Sequence, residues 1–450
     1  MQKDNPRLMR TFGPWDGASV IIANVIGIGI FTTPGIIAEL APGLIPFFSL
    51  WIAGGLLALT GSFAYADLAA LIPKAGGEYI YLRKSFGPAW GFLSGWTSFI
   101  AGFSGAIAAS SVGFAEYFRV ILPEIYVFPE YIFFAASWFP VHLSPEKFIA
   151  VCLILFVTLF HISKITVGGR FQNLLTLLNI FTILALVGLG FASNPGLNFS
   201  GQVSSGNFSF SFWFLALIPV MFTYSGWNAA VYIAEEIKNP GKNMHRALLA
   251  GTGAVLVLYL LLNILIAGTI PFETLADSID VINTMSDILF GQSGMLLFSL
   301  VILTALLSSV SAMTITGPRI YFAMAQDKLF PSVFGSVHPG YHVPRRAILF
   351  QSAWAAILVL SGTFEQLLIY TGFSIMLFSG LSVLALLILD KRSRRVGLTP
   401  VKKIFYSLFV LVSFTVVLNA IYTSPKPSLA GLILIAAGLP VYRWYSTRHK

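Results

Sequence analysis

Apolar runs separated by short, mostly basic polar stretches divide the chain into twelve segments expected to cross a membrane as helices. They lie near 15–40, 44–71, 86–119, 145–161, 171–192, 208–234, 247–270, 294–325, 347–361, 366–389, 404–422 and 428–442. Most are close to or above the ~20 residues that a spanning helix needs, and nothing repeats the ~10-residue alternation of a membrane barrel. Two of the runs are interrupted. The first contains Asn24-Val25-Ile26-Gly27-Ile28-Gly29-Ile30-Phe31 and the sixth Thr223-Tyr224-Ser225-Gly226-Trp227-Asn228. A glycine gives up roughly 1 kcal/mol of helix propensity relative to alanine, so these stretches predict backbone that is not helical at bilayer depth. Such backbone is tolerated there only when it is buried in protein or faces a water-filled cavity. A pair of breaks in corresponding halves of a chain is the sequence pointer to a transporter's binding site.

Five spans precede the second break. An odd repeat starts from opposite sides of the membrane in its two copies, which is what an inverted-topology repeat requires. The expected architecture is therefore an all-α integral membrane fold of twelve transmembrane helices in one domain, 1–450. It has a five-plus-five inverted repeat with broken helices 1 and 6: repeat one at about 15–192, repeat two at about 208–389, and two appended helices at about 404–442. The copies share no obvious residue identity, so this rests on the positions of the breaks and on topology. The segment 120–146 reads as an external loop with an interfacial aromatic belt, and 271–293 as short lid helices.

Composition narrows the class. With 56% hydrophobic and 10% charged residues and a mean hydropathy of +0.82, the chain has too little polar surface for an aqueous globule. The net charge of +9 is not one nucleic-acid-binding patch. If the N-terminus is cytoplasmic, only Arg119, Lys147 and Lys426 of the 27 lysines and arginines fall outside. That bias places both termini in the cytoplasm and requires an even number of spans. No cleavable signal peptide is expected. Cys152, the one cysteine, lies within the fourth span and allows no intramolecular disulfide. Metal-ligand spacing, a phosphate-binding loop and a nucleophile–base pair are all missing, so enzymatic and ATP-driven readings lack their parts and no cofactor is expected.

Unwinding a span frees N–H groups at the start of its outer half-helix and carbonyls at the end of its inner one. A zwitterion uses both. Its carboxylate can accept from the Ile28, Gly29 and Ile30 region, at the positive end of a half-helix dipole. Its ammonium can donate to carbonyls near Val25, Ile26, Phe222 and Ser225. The alternative for Gly27 and Gly29 is that they only let two helices pack closely.

The motifs resemble those of the amino acid, polyamine and organocation family of transporters, nearest its L-type amino acid transporter branch and the bacterial relatives of that branch. The carrying residues are Ile26 to Phe31, then Pro73-Lys74-Ala75-Gly76-Gly77-Glu78-Tyr79-Ile80-Tyr81 with Phe86-Gly87-Pro88. Tyr224 to Asn228 with Glu235-Glu236-Ile237-Lys238-Asn239-Pro240 follow, then Gly317-Pro318-Arg319 with Ala323 to Asp327. The resemblance implies that amides of Gly27, Ile28 and Gly29 take a substrate carboxylate, and that carbonyls of Val25, Phe222 and Ser225 take its amine. It also implies that the Phe222 ring closes over bound substrate, with Trp227 and Asn228 as pocket or support. For Phe222 the alternative is an ordinary lipid-facing or core position, and for Trp227 it is packing.

Two positions depart from that family. Ile28 replaces a small residue, which points to small or medium neutral substrates. Asn179 replaces a lysine that in many relatives links the first and eighth spans in place of a sodium ion, and a neutral amide cannot act as a tethered cation. Ser308, Ser309 and Ser311 offer hydroxyls in that region, either for sodium near Ser308 or for helix–helix hydrogen bonds. Among ionisable residues, Asp67 reads as a structural ion pair or intracellular gate, Glu235 and Glu236 as latches to Lys74, Arg83 or Arg319, and His161 as a surface or capping residue.

The expected function is alternating-access transport or exchange of neutral L-amino acids across the plasma membrane, the inner membrane in a bacterium. One alternative is a cationic amino acid or polyamine carrier, which would favour an acidic group near the breaks, where the sequence shows none. Another is a non-transporting amino acid sensor. Heteromeric relatives link to a partner through an external cysteine, a position Cys152 does not hold, so no disulfide-linked partner is expected.

Overall fold

Prolines and short polar caps set where the helices begin. Pro14, Pro88, Pro145, Pro240, Pro400 and Pro425 each occupy a first helical position, where the missing N–H would have had no partner. Ser144 and Thr399 add side-chain caps, accepting from the N–H groups of Lys147 and Lys402.

The computed structural model describes all residues except 1–7, 42, 127, 137–138, 195, 198, 200–209, 279–280, 292–293, 394–396 and 449–450. Lys3, Arg7, Arg394, Arg395 and Lys450, which count toward the charge bias, lie outside the described residues. The order runs α1 (Pro14–Val25), α2 (Gly29–Leu40), α3 (Leu44–Leu71), α4 (Glu78–Phe86), α5 (Pro88–Thr97), a π-helical turn (Ser98–Gly102) and α6 (Phe103–Ile121). After β1 (Tyr131–Ala136) and β2 (Phe139–Leu143) come α7 (Pro145–His161), α8 (Ile165–Ser193), α9 (Phe210–Thr223) and a 3-10 segment (Ala229–Glu236). The chain continues with α10 (Pro240–Thr269), α11 (Phe272–Asp277), α12 (Val281–Phe290), α13 (Gly294–Gln326), α14 (Arg345–Ser361), α15 (Phe364–Ser393), α16 (Pro400–Thr423), α17 (Pro425–Ala436) and α18 (Gly438–Arg448).

Among the described residues, eight helical stretches are long and apolar enough to cross a membrane, or nine when α1 and α2 count as one bent span. The fold is all-helical apart from one hairpin. That hairpin corrects the loop expected over 120–146: β1 and β2 pair antiparallel, Tyr131 opposite Leu143 and Phe133 opposite Val141. Aromatic residues favour a pleated, half-buried surface, and here that preference outweighs the flanking prolines.

Two packing units surround the middle of the molecule. In one, α1 packs on α10, α8 and α13, and α3 packs on α10. In the other, Ile107 and Ala108 of α6, Ile154 and Val157 of α7, Val310 of α13, and Ala355 and Val359 of α14 form a separate buried cluster. Small residues let the first unit close: a Cβ at Gly251 would lie 2.8 Å from Ile21.

Candidate functional site

The two interrupted segments meet each other. Helix α1 stops at Val25 because Ile26 turns extended (φ −77°, ψ 100°), and α2 leaves from Gly29 at an angle of 51°. No backbone carbonyl among the described residues accepts from the N–H groups of Gly27, Ile28, Gly29 or Ile30, so the start of α2 presents four free donors and the positive end of its dipole. Helix α9 stops at Thr223, and Tyr224–Asn228 turn before the 3-10 segment. Gly226 adopts φ +102°, and a Cβ on it would sit 2.9 Å from the Asn24 carbonyl carbon. The Tyr259 hydroxyl lies 2.8 Å from the Val25 carbonyl and 3.1 Å from the Thr223 carbonyl, so one O–H group is shared between the ends of both helices. The hydroxyls of Thr33 and Thr223, 2.8 Å apart, tie α2 to α9.

A cavity of ≈ 270 Å³ opens beside this junction, just below the ~300–1,000 Å³ usual for small-molecule sites. Gly27, Ile28, Gly29, Val25, Phe222, Ser225 and Asn228 line it, facing Ala106 and Ser110 of α6, Ser309 and Met313 of α13, and Ile375 of α15. Phe222 is 44% exposed and stands at the rim. Its carbonyl accepts from the N–H of Ser225 at 2.9 Å, within the turn. The Ser225 carbonyl has no backbone partner among the described residues.

Some expected contacts fall elsewhere. Ile26 and Ile30 are fully buried and do not line the cavity. Trp227 sits behind its wall: the ring packs 4.8 Å from Tyr65 and fills the space left by Gly61, where a Cβ would be 2.5 Å from it. Of the two readings for Trp227, packing is the one the geometry shows.

The three serines of α13 separate. Ser309 lines the cavity, Ser308 is buried without a hydrogen-bond partner, and Ser311 pairs with His161 Nε2 at 2.8 Å. The surface or capping role expected for His161 is thereby corrected. It is 3% exposed, folded beneath α8 at Gly168, where a Cβ would approach its Nδ1 to 2.9 Å. Asn179 is fully buried, and neither polar atom of its side chain has a partner among the described residues.

Ion pairs cross the end of the molecule where basic residues gather. Arg319 of α13 forks onto Glu236, Nε to Oε2 at 3.0 Å and Nη2 to Oε1 at 2.9 Å, with both side chains buried. Glu235 accepts from the N–H of Ala75 at 3.2 Å. Phe12 lies alongside, its N–H on the Glu236 carbonyl at 3.0 Å and its carbonyl accepting from Lys238 at 2.8 Å. Asp67 binds Lys402 Nζ at 2.9 Å, His245 at 3.0 Å and the Tyr406 hydroxyl at 2.7 Å, joining α3, α10 and α16. These contacts tie the helices together at the basic face, while Phe222, 44% exposed, lines the cavity.

Sequence reasoning missed three contributors. Glu78, at the start of α4, lines the cavity. Its Oε1 accepts from the Tyr65 hydroxyl at 2.6 Å, Asn228 Nδ2 at 2.9 Å and Ser379 Oγ at 3.3 Å. This corrects the expectation that no acidic group lies near either break. Glu78 is close to them in space but 150 residues from Asn228 in sequence. Tyr259 is the second, hidden in an unbroken apolar run. The third is the π-helical turn, whose Ser98 and Gly102 line the cavity. Trp354 Nε1 donates to the Ile100 carbonyl of the turn at 3.0 Å, and the Tyr321 hydroxyl lies 3.4 Å from the Ser98 carbonyl, which also accepts from the N–H of Phe103.

Comparison with known proteins agrees in scope. Residues 12–441 match the family described as amino acid permease. The chain is 27% identical to the serine/threonine exchanger SteT of Bacillus subtilis, over 98% of each chain. It is 27% identical to the human b(0,+)-type amino acid transporter 1, over 98% of this chain and 90% of the relative. To the human Asc-type amino acid transporter 1 it is 28% identical, over 97% and 82%. These relatives are membrane transporters, not enzymes. A match that runs through both breaks and on to α18 places the chain in the amino acid permease family.

Proposed function

We propose that this chain exchanges or takes up small to medium neutral L-amino acids across the plasma membrane by alternating access. The carrying observation is the junction of the two breaks, where Gly27, Ile28 and Gly29, whose N–H groups have no backbone partner among the described residues, line the same cavity as Ser225. A zwitterion meets donors for its carboxylate and an acceptor for its ammonium, both supplied by main chain. Ile28 narrows the cavity beside them, which suits a modest side chain. The relatives named as serine/threonine, b(0,+)-type and Asc-type amino acid carriers support the same substrate class.

The architecture we propose has twelve spans in one domain. Nine are the apolar helices with α1 and α2 taken together. The other three are α9 with its 3-10 continuation, and α7 and α14, each of 17 residues, at the short end of the ~17–25 that cross a bilayer. Five-plus-five inverted repeats then place the breaks in equivalent spans. We read the basic face as cytoplasmic by the positive-inside bias, its ion pairs as an inner latch and Phe222 as the gate at the site. The unpartnered Asn179 and Ser308 sit where a lysine or an ion would bridge spans one and eight.

Purified protein in liposomes preloaded with serine or leucine is expected to take up labelled amino acid saturably. Uptake that grows linearly with concentration would mark a channel, and binding without uptake would mark a sensor.

A further inference from the structure

We propose that Glu78 is a proton-binding site that opens into the substrate cavity, and that its protonation is coupled to amino acid binding there. The inference rests on the substrate reading above and adds a coupled ion to it. Three elements converge on the carboxyl: Tyr65 from α3, Asn228 from the second break and Ser379 from α15 all donate to the same oxygen, Oε1. Among the described residues no donor reaches Oε2. Glu78 is 7% exposed and lines the cavity, so the cavity is its path for a proton.

Among the described residues no cation is paired with it. From α3 it is faced by Tyr65, and further along by Asp67, already bound by Lys402 and His245. On α4 it has Tyr81 nearby, while Tyr79 and Arg83 both engage Asp327. The 3-10 segment contributes Tyr232 and Glu236, the latter paired with Arg319 of α13. Helix α13 adds Tyr321, and α15 adds Tyr370, Asp390 on Lys403, and Lys391 and Arg392 at its far end. Helix α5 carries no titratable side chain. Burial without a cation pushes the Glu78 carboxyl up to about 7 against three donors that pull it down, so both protonation states are accessible near neutral pH.

The carboxylate accepts strongly from all three donors, and a protonated acid is a weaker acceptor. Taking up a proton therefore loosens the tie between α15 and the second break at the floor of the cavity. It also removes a negative charge beside the second break, whose Ser225 carbonyl takes the substrate ammonium, so binding is expected to weaken on the acid side.

The test pairs two readouts on the full-length protein in detergent. Infrared titration without amino acid is expected to show a buried carboxyl protonating near neutral pH, lost in Glu78→Gln. Amino acid affinity is expected to rise about tenfold from pH ~5.5 to ~8.5, a coupling of ordinary allosteric size. In Glu78→Gln the affinity should stay at its acid-side value throughout. The glutamine keeps the one oxygen that holds all three donors, so the fold is retained. Ser379→Ala removes one donor to the carboxylate, and the inflexion should move to higher pH. A wild-type affinity flat with pH, an inflexion that survives Glu78→Gln, or one unmoved in Ser379→Ala would each overturn the proposal. If wild type bound no amino acid at any pH, the substrate reading would fall instead, and the infrared titration would still decide whether Glu78 exchanges a proton.

Discussion

Gly226→Ala is expected to abolish amino acid exchange with one methyl group. At φ +102° the residue lies where L side chains rarely sit, and the added Cβ would stand 2.9 Å from the carbonyl carbon and Cβ of Asn24 and 3.0 Å from its carbonyl oxygen. Two of these three atoms are main chain, which has no rotamer to escape into. Backbone strain and overpacking together cost about 2–5 kcal/mol, applied where the two breaks touch. Either the second break rewinds or the first is pushed away, and both displace the free N–H groups of α2 from the Ser225 carbonyl. The measurement is labelled exchange in liposomes, with thermal melting as the control for folding. Wild-type exchange by this variant would show that the contact of the two breaks is dispensable. Gly27 and Gly29 make milder tests: a Cβ there would meet only Ser309 at 3.9 Å and Thr223 at 3.4 Å, which are ordinary contacts.

The second large effect is expected at Arg319. Removing it by Arg319→Ala leaves the Glu236 carboxylate fully buried and without its cation, and it removes the donor that Arg319 Nη1 gives the Ile315 carbonyl at 2.7 Å. Breaking a buried pair from one side costs about 3–5 kcal/mol, because the remaining charge stays desolvated. The expected result is a marked fall in apparent melting temperature together with loss of exchange. Replacing both partners by apolar residues, Arg319→Met with Glu236→Leu, removes the orphaned charge and is expected to restore much of the melting temperature. Exchange should stay impaired, since a greasy seam lacks the directional fork that closes the basic face over the 3-10 segment. A double variant as unstable as Arg319→Ala would show that the loss arises elsewhere.

What the sequence revealed divides along a physical line. Breaks in the first and sixth apolar runs were legible because glycine is expensive in a helix wherever the chain later folds. Helix starts were less so: hydropathy began three of the runs at 247, 404 and 428, whereas the helices begin at Pro240, Pro400 and Pro425, where proline suits a first turn. What was hidden depends on who meets whom. Glu78 follows two glycines in a polar connection and looks solvated, yet Gly77 at φ +50° brings α4 under the second break, where Asn228 reaches it. His161 ends a helix and looks exposed until Gly168 leaves room for it. Trp227 sits in the broken stretch like a substrate contact, but Gly61 provides a slot that draws the ring into the core. The hairpin at 131–143 was obscured by prolines that end strands as readily as helices. The N–H groups of α2 could be named from sequence, whereas the shared hydroxyl of Tyr259 that holds both helix ends open had no local signal.

Main chain that grips both poles of a zwitterion should reject a substrate lacking either one, and a competition assay addresses that directly. Exchange of a labelled amino acid should be blocked by the unlabelled parent, but not by its methyl ester, its N-acetyl form or the amine left by decarboxylation. Competition by the ester or the decarboxylated amine as strong as by the parent would contradict it.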